Sequence, residues 1–171
     1  FSIVAEADPC SVAFIKEISA TQGCLFYPNR SRYNEGVMSH DTFLWHDYET
    51  FGANPRSDRP CQFAALRTND RLEPIESPTI IYCQPTIDTL PHPGACLVTG
   101  ITPQIAQAKG ETEPRFAQQI FDMMSRPETC VVGYNNFRFD DEVTRHLFWR
   151  NFLDPYAREY TNGNSRFDLI N

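Results

Sequence analysis

The stretch TFLWHDYE, residues 42–49, decides the fold of this chain. Its aromatic-rich, apolar first part is typical of a buried strand, and Gly52 and Pro55 close that strand. Because alternate residues of a strand share a face, the carboxylates of Asp47 and Glu49 are predicted to point at one spot. Two like charges so close are unfavourable unless a cation lies between them, and a divalent metal ion meets that need. A solvated acidic strand end explains the same spacing equally well.

Two further strands are predicted downstream, over residues 62–68 and 79–83, joined through the turn residues Asn69 and Asp70. Together with the first strand they make an antiparallel meander. A Pro-rich stretch, residues 85–103, separates this meander from the rest of the chain.

The second half of the chain has the pattern of an α/β unit. Apolar residues at helical spacing predict a helix over residues 114–125, with Pro114 placed to open it. Residues 129–133 form a short apolar run that suits a buried strand, and residues 140–152 have the apolar stripe of a second helix. A strand, a crossover helix and another strand predict an α/β fold.

A third acidic cluster, residues 140–142, begins the second helix directly after a polar loop. Sites in open α/β sheets lie outside the carboxyl ends of the strands. If the strands that end at Asp47 and Gly133 are parallel neighbours, Asp140 can approach Asp47 and Glu49. The helix macrodipole alone also favours acidic residues in a first turn, but it does not explain the preceding loop with its two asparagine amides.

Bulk properties limit the classes of protein to which the chain can belong. Its 171 residues suit one domain, and 41% hydrophobic with 22% charged residues is ordinary for a globular protein. A net charge of −7 excludes a protein that coats nucleic acid by bulk electrostatics, so any contact with DNA must be local. No membrane span or secretion signal is recognisable, and a cytoplasmic location is expected.

The six cysteines contain no CxxC pair and are expected to be reduced. Residues 1–37 are expected to be an extension of doubtful structure, with a short helix over residues 11–19 and a natural start at Met38. The domain is therefore predicted to occupy residues 38–171.

Four strings of residues together resemble the exonuclease I family of the DEDD superfamily. Residues 43–52, FLWHDYETFG, resemble the first exonuclease motif, and residues 133–143, GYNNFRFDDEV, resemble the second. Residues 99–102 are similar to the family's substrate-side turn, and residues 164–169 to the strand that follows the second motif.

This resemblance implies an RNase H-like mixed β-sheet flanked by helices, with two Mg²⁺ ions held by four acidic residues and Mn²⁺ as a substitute. Asp47, Glu49 and Asp140 are then the catalytic metal ligands, with Asp141 the less suitable neighbour. The third motif, a His followed by an Asp, is expected beyond Asn171. On this interpretation the domain is C-terminally truncated, and the fragment is expected to be inactive.

The resemblance also implies a 3′→5′ exonuclease that degrades single-stranded DNA to 5′-mononucleotides in DNA repair and recombination. A single-strand-binding protein is an expected partner, through regions absent from this chain. The predicted substrate-binding residues are Glu49, Thr50, Phe51, Arg145, Tyr156 and Tyr160.

Alternatives to these assignments remain open at the level of sequence. The two tyrosines, at i and i+4, could pack on the core, and Arg145 could pair with a nearby carboxylate such as Asp141. An RNA-directed DEDD exonuclease is the second enzymatic interpretation. A non-catalytic module that binds single-stranded nucleic acid is the interpretation from another class.

Overall fold

The computed structural model describes residues 42–170, which form one mixed sheet with helices. The sheet has five strands in the order β3-β2-β1-β4-β5. The strands are β1 (Thr42–Thr50), β2 (Pro60–Thr68), β3 (Thr79–Tyr82), β4 (Thr129–Gly133) and β5 (Ser165–Asp168). The helices are α1 (Pro93–Thr99), α2 (Pro103–Lys109), α3 (Glu113–Met124), α4 (Asp140–Arg150) and α5 (Ala157–Tyr160).

The strand pairing confirms the predicted meander and the predicted parallel neighbours. β2 is antiparallel to both β1 and β3, whereas β4 is parallel to β1 and to β5. In the parallel pair, Thr42 lies opposite Thr129 and Trp45 opposite Val132. The carboxyl ends of β1 and β4 therefore meet at one edge of the sheet, from which α4 departs.

Alternation along the strands divides the core between the two faces of the sheet. Leu44 and Tyr48 of β1 contribute to the larger buried cluster, to which α3 and α4 also contribute. Trp45 contributes to a smaller cluster on the other face, with Leu66 of β2 and Val132 of β4. Asp47 and Glu49 continue the Trp45 series at the end of the strand, as the period of two requires.

Two helices lie in or beside the Pro-rich stretch that separated the predicted halves. Each begins with a capping residue followed by proline: His92 Nδ1 accepts a hydrogen bond from the Gly94 N–H at 3.1 Å, and Thr102 Oγ1 accepts one from the Ile105 N–H at 3.2 Å. Capping followed by proline is a start signal in sequence as well. Our prediction missed α1 and α2 because each has only seven residues, too few to show apolar periodicity.

The two predicted helices are present with small changes at their ends. α3 is shifted by one residue from the predicted range, and α4 ends at Arg150 because Phe152 adopts a left-handed φ of 60°. Four of the six cysteines lie within the described residues and are free thiols. The predicted helix at residues 11–19 and the boundary at residue 37 lie outside residues 42–170. Within the described range, no helix has the length and apolar character needed to cross a membrane.

Candidate functional site

Asp140 and Asp47 come together where β1 meets the start of α4. The backbone N–H of Tyr48 donates a hydrogen bond to Asp140 Oδ1 at 3.2 Å, which holds the first residue of α4 against β1. Asp140 is buried, while Asp47 and Glu49 are half-buried. The β1–β2 register shifts between Glu49 and Thr50, an irregularity of the kind that often lies beside active sites.

The electrostatics of this pair favour a bound cation. Burial raises the pKa of Asp140 well above its ordinary value, the charge of Asp47 raises it further, and the Tyr48 N–H offsets only part of this. The charge of Glu49 also affects this region. Burial is the main cause that raises the pKa of the Cys61 thiol, and the charge of Glu49 raises it further. Bringing Asp140 into its ionised form beside Asp47 therefore costs free energy that a positive charge would offset.

The donor chemistry fits a hard divalent cation, because carboxylate oxygens are the ligands that Mg²⁺ and Mn²⁺ prefer. Asp47, Asp140 and, further along the same strand, Glu49 are the residues of this chain that could hold such an ion. Nevertheless, in the described part of the chain no group of three or more His, Cys, Asp or Glu side chains is gathered to hold a metal ion. The structure thus assembles the Asp47–Asp140 pair and leaves Glu49 as a neighbour.

Asp141, the residue after Asp140, points into a different environment. Its carboxylate is fully buried and forms ion pairs with Arg158, at 2.8 Å, and with Arg166. Burial would raise the pKa of Asp141, but the two guanidinium groups outweigh burial and lower it. Asp141 therefore anchors α4, and its two oxygens accept hydrogen bonds from arginines.

Asp168, at the end of β5, fixes the loop that leads to Asp140. Its buried carboxylate accepts hydrogen bonds from the backbone N–H groups of Asn135 at 2.8 Å, Phe137 at 3.1 Å and Ile170 at 3.1 Å. Asn135 has a left-handed φ of 56°, and Arg166 lies 4.5 Å from the centre of the Phe137 ring. Sequence reasoning missed this role, because the loop amides that Asp168 accepts from lie more than thirty residues earlier in the chain.

Arg145 is held between carboxylates of α4 and α5. Its Nε and Nη2 donate to the two oxygens of Glu159 at 2.9 and 3.0 Å, and its Nη1 donates to Glu142 at 2.7 Å. The alternative in which Arg145 pairs with a nearby carboxylate is therefore confirmed, but its partners are Glu142 and Glu159 and not Asp141. Asp141 is less suited to this role, because its carboxylate is already paired with Arg158 and Arg166.

The predicted substrate-binding aromatic residues differ in accessibility. Tyr156 and Tyr160 are 51% and 73% exposed, so the alternative in which they pack on the core does not apply. By contrast, Phe51 is 3% exposed and packs against Cys61 and Ile101, and Thr50 Oγ1 donates to the Gly52 carbonyl at 2.6 Å. The buried ring of Phe51 is therefore not accessible for stacking on a base. It instead packs the end of β1 against its neighbours.

Comparison with known proteins decides the family. The family model RNase T, described as an exonuclease, matches residues 44–171 of this chain. The chain belongs to the exonuclease family. Residues of both quoted exonuclease motifs fall inside the matched range, and the observed sheet is the RNase H-like fold of this family, as predicted.

Exodeoxyribonuclease I proteins are similar to this chain in sequence. That of Escherichia coli K12 is 56% identical over 137 residues, which cover 80% of this chain and 29% of the relative. That of Haemophilus influenzae is 53% identical over 129 residues, covering 75% and 27%. The chain thus spans less than a third of the length of these curated relatives.

Solved structures of exonuclease I share the fold. The exonuclease I complex with SSB-Ct superposes with a TM-score of 0.75 at 57% identity, over 77% of this chain and 29% of that one. Escherichia coli exonuclease I in complex with a dT13 oligonucleotide gives a TM-score of 0.74 at 58% identity, over 76% and 28%. The resemblance to the exonuclease I family is thereby confirmed.

Proposed function

We propose that the whole protein is a 3′→5′ exonuclease that degrades single-stranded DNA to 5′-mononucleotides by metal-dependent hydrolysis, in DNA repair and recombination within the cytoplasm. The observation that supports this most is the buried Asp140 carboxyl, which the Tyr48 N–H holds against β1 beside Asp47. Relatives named exodeoxyribonuclease I, at 56% and 53% identity, support an exonuclease that acts on DNA.

In this proposal Asp47, Glu49 and Asp140 hold Mg²⁺, with two ions bound and Mn²⁺ as a substitute. Bound cations of this kind activate water and stabilise the leaving oxygen in an in-line displacement. The residues of the chain supply position: the Tyr48 N–H orients Asp140, and the ion pairs of Asp141 hold the first turn of α4 in place. Asp47 and Glu49, two residues apart on β1, present their carboxylates from the sheet.

The general base in this proposal is not one of the histidines near the site. His46 is 1% exposed, and burial, with the charge of Arg158, lowers its pKa to about 4. A buried, weakly basic imidazole cannot reach a substrate proton. His146 lies within α4 and contacts Glu142 at 3.9 Å, without the spacing of the family's third motif. We therefore assign the base, and the fourth acidic ligand, to a part of the whole protein outside residues 42–170.

The substrate in this proposal is a single DNA strand held by Arg145, Tyr156 and Tyr160. Single strands are commonly bound by bases that stack on aromatic rings and by phosphates that pair with arginine. The exposed tyrosine rings support this, as does the relative solved with a dT13 oligonucleotide. A single-strand-binding protein is the proposed partner, in line with the relative solved with SSB-Ct.

A second candidate function is a non-catalytic module that binds single-stranded nucleic acid. It is favoured by one observation: within residues 42–170, no three potential ligand side chains are gathered around a metal position. The two candidates differ in whether phosphodiester bonds are cut.

The deciding experiment measures Mg²⁺-dependent release of mononucleotides from a 3′-labelled single strand. The 171-residue chain is assayed beside a longer version that continues into the downstream reading frame, with DNA and RNA strands of the same sequence. We expect the longer version to cut DNA, and Asp47→Ala to abolish cutting while Asp122→Ala, at an exposed position on α3, preserves it. A longer version that binds single strands but releases no nucleotide would replace the exonuclease by the binding module. Faster cutting of RNA would instead support the RNA-directed alternative.

A further inference from the structure

Glu159 is a carboxylate buried among three arginines. Its side chain is 0% exposed, and its oxygens lie 2.9 Å from Arg145, 3.3 Å from Arg166 and 3.5 Å from Arg158. A buried charge is tolerated only where it is paired and hydrogen-bonded. Glu159 is therefore held firmly, and it can in turn hold the side chains around it.

Arg145 is the partner that Glu159 orients most completely. The Nε and Nη2 atoms of Arg145 donate to the two Glu159 oxygens at 2.9 and 3.0 Å, a two-point contact that fixes the plane of the guanidinium group. Glu142 accepts from the remaining nitrogen, Nη1, at 2.7 Å. A guanidinium group has five N–H donors, so these three bonds leave one hydrogen on each Nη atom for another acceptor. The Arg145 side chain is 20% exposed, so it is within reach of solvent.

The element that carries Glu159 also carries the exposed aromatic rings. Tyr156 directly precedes α5 and Tyr160 ends it, and the Tyr156 ring lies 5.4 Å from Arg145 Cζ. The Arg145–Glu159 contact therefore ties α4, whose first residue is Asp140, to the segment with the two tyrosines. One guanidinium group and one half-exposed ring form a surface on which a phosphate and a neighbouring base can bind together.

We propose that Glu159 is a positioning residue for single-stranded nucleic acid: it holds the Arg145 guanidinium beside the Tyr156 ring in the orientation that receives a phosphate. This inference rests on the proposed function, which places the strand at Arg145. The physical reason is preorganisation, because a long side chain that is already fixed loses little freedom when the ligand binds. Glu159 itself touches no substrate and acts through Arg145.

The test is a double-mutant cycle on strand binding. Anisotropy of a fluorescent oligothymidylate is measured in EDTA, so that no cleavage occurs, for the wild type, Glu159→Gln, Arg145→Ala and the double variant. We expect Glu159→Gln to weaken binding by about two- to tenfold, the change expected when one long side chain must be ordered on binding. In the Arg145→Ala background the same substitution should change nothing further. Asp70→Asn, in the exposed turn after β2, changes the net charge equally and should bind as the wild type does.

Arg145→Lys distinguishes the effect of positioning from that of charge. It also provides an independent measurement if Glu159→Gln folds poorly. Lysine keeps the positive charge but cannot make the two-point contact, so it should bind as weakly as Glu159→Gln. If Arg145→Ala weakens binding while Glu159→Gln binds as tightly as the wild type or more tightly, positioning is wrong and the proposed function stands. If Glu159→Gln has the same effect in both backgrounds, Glu159 is only structural. If Arg145→Ala leaves binding intact, the proposed placement of the strand fails, and this inference fails with it.

Discussion

Asp140 and Asp141, consecutive residues in the first turn of α4, have carboxyl groups in opposite electrostatic environments. Asp140 lies beside Asp47, and burial and that like charge raise its pKa. Asp141 lies between Arg158 and Arg166, which outweigh burial and lower its pKa. A bound cation would therefore stabilise the ionised form of Asp140, whereas Asp141 already has positive partners within the fold.

Asp140→Asn is expected to stabilise the metal-free protein and to abolish the nuclease activity proposed for the whole protein. A folded pKa above the unfolded value contributes stability at acidic pH, and that contribution is lost as the pH rises through the folded pKa. The wild type therefore loses stability through Asp140 as the pH rises, and an asparagine, which keeps the acceptor for the Tyr48 N–H, does not. Thermal unfolding in EDTA at about pH 5 and about pH 8 measures this difference. Equal melting temperatures of variant and wild type at the higher pH would contradict the expectation.

Asp141→Asn is expected to have the opposite effect on stability. Removing one partner of a buried ion pair lowers the free energy of unfolding by about 3–5 kcal/mol. In this variant the partner that remains is Arg158, whose side chain is 0% exposed and keeps its charge. A folded pKa below the unfolded value contributes stability that is present above the unfolded pKa and lost as the pH falls through the folded pKa. The cost, read from urea unfolding, should therefore be largest near neutral pH and shrink in acid.

The control for Asp141→Asn is the exposed Asp122→Asn on α3, which should change the free energy of unfolding by no more than about 0.5 kcal/mol. A cost for Asp141→Asn that is as small as this, or that does not vary with pH, would mean that the pair with Arg158 contributes little to stability.

The central part of the fold could be predicted from sequence because it depends on local patterns. The apolar runs of β1 and β4 and the acidic residues that follow them were sufficient to bring Asp47 and Asp140 to one edge of the sheet. For Arg145, helical spacing accounts for the pair with Glu142, three residues earlier, but not for the two-point contact with Glu159. The i, i+4 rule pointed to Asp141, but Glu159, fourteen residues along the chain, is brought close only when α5 packs in the tertiary structure.

Asp168 was missed for a similar reason. Its three hydrogen bonds go to backbone N–H groups, two of them in a loop more than thirty residues earlier, and side-chain patterns contain no trace of such contacts. Parallel pairing of β4 with β5 brings Gly133 opposite Asp168 and so places the carboxylate under the loop.

Asp168→Ala is expected to loosen the loop that leads to Asp140. The N–H groups of Asn135 and Phe137 lose their acceptor, and each loss costs at most about 1–3 kcal/mol, since both hydrogen bonds are only part-buried and water can replace part of them. Amide hydrogen exchange at these two residues should accelerate more than exchange in β2, which is remote from the loop. Activity of the whole protein should fall, because Asp140 is then less firmly placed. Unchanged exchange at both amides would show that other contacts hold the loop.

Tyr160→Ala and Phe51→Ala are expected to separate strand binding from folding. Tyr160 is 73% exposed, so its loss should weaken binding of an oligothymidylate by about 1–3 kcal/mol, the value of one stacked base, with a stability change within about 0.5 kcal/mol. Phe51 is 3% exposed, so its loss should cost about 3–5 kcal/mol of stability through the cavity it leaves. Anisotropy in EDTA and urea unfolding measure the two quantities on the same samples. Normal strand affinity in Tyr160→Ala would remove this ring from the binding surface. A stable Phe51→Ala protein with weakened affinity would instead show that a strand contacts Phe51 directly, against its buried position.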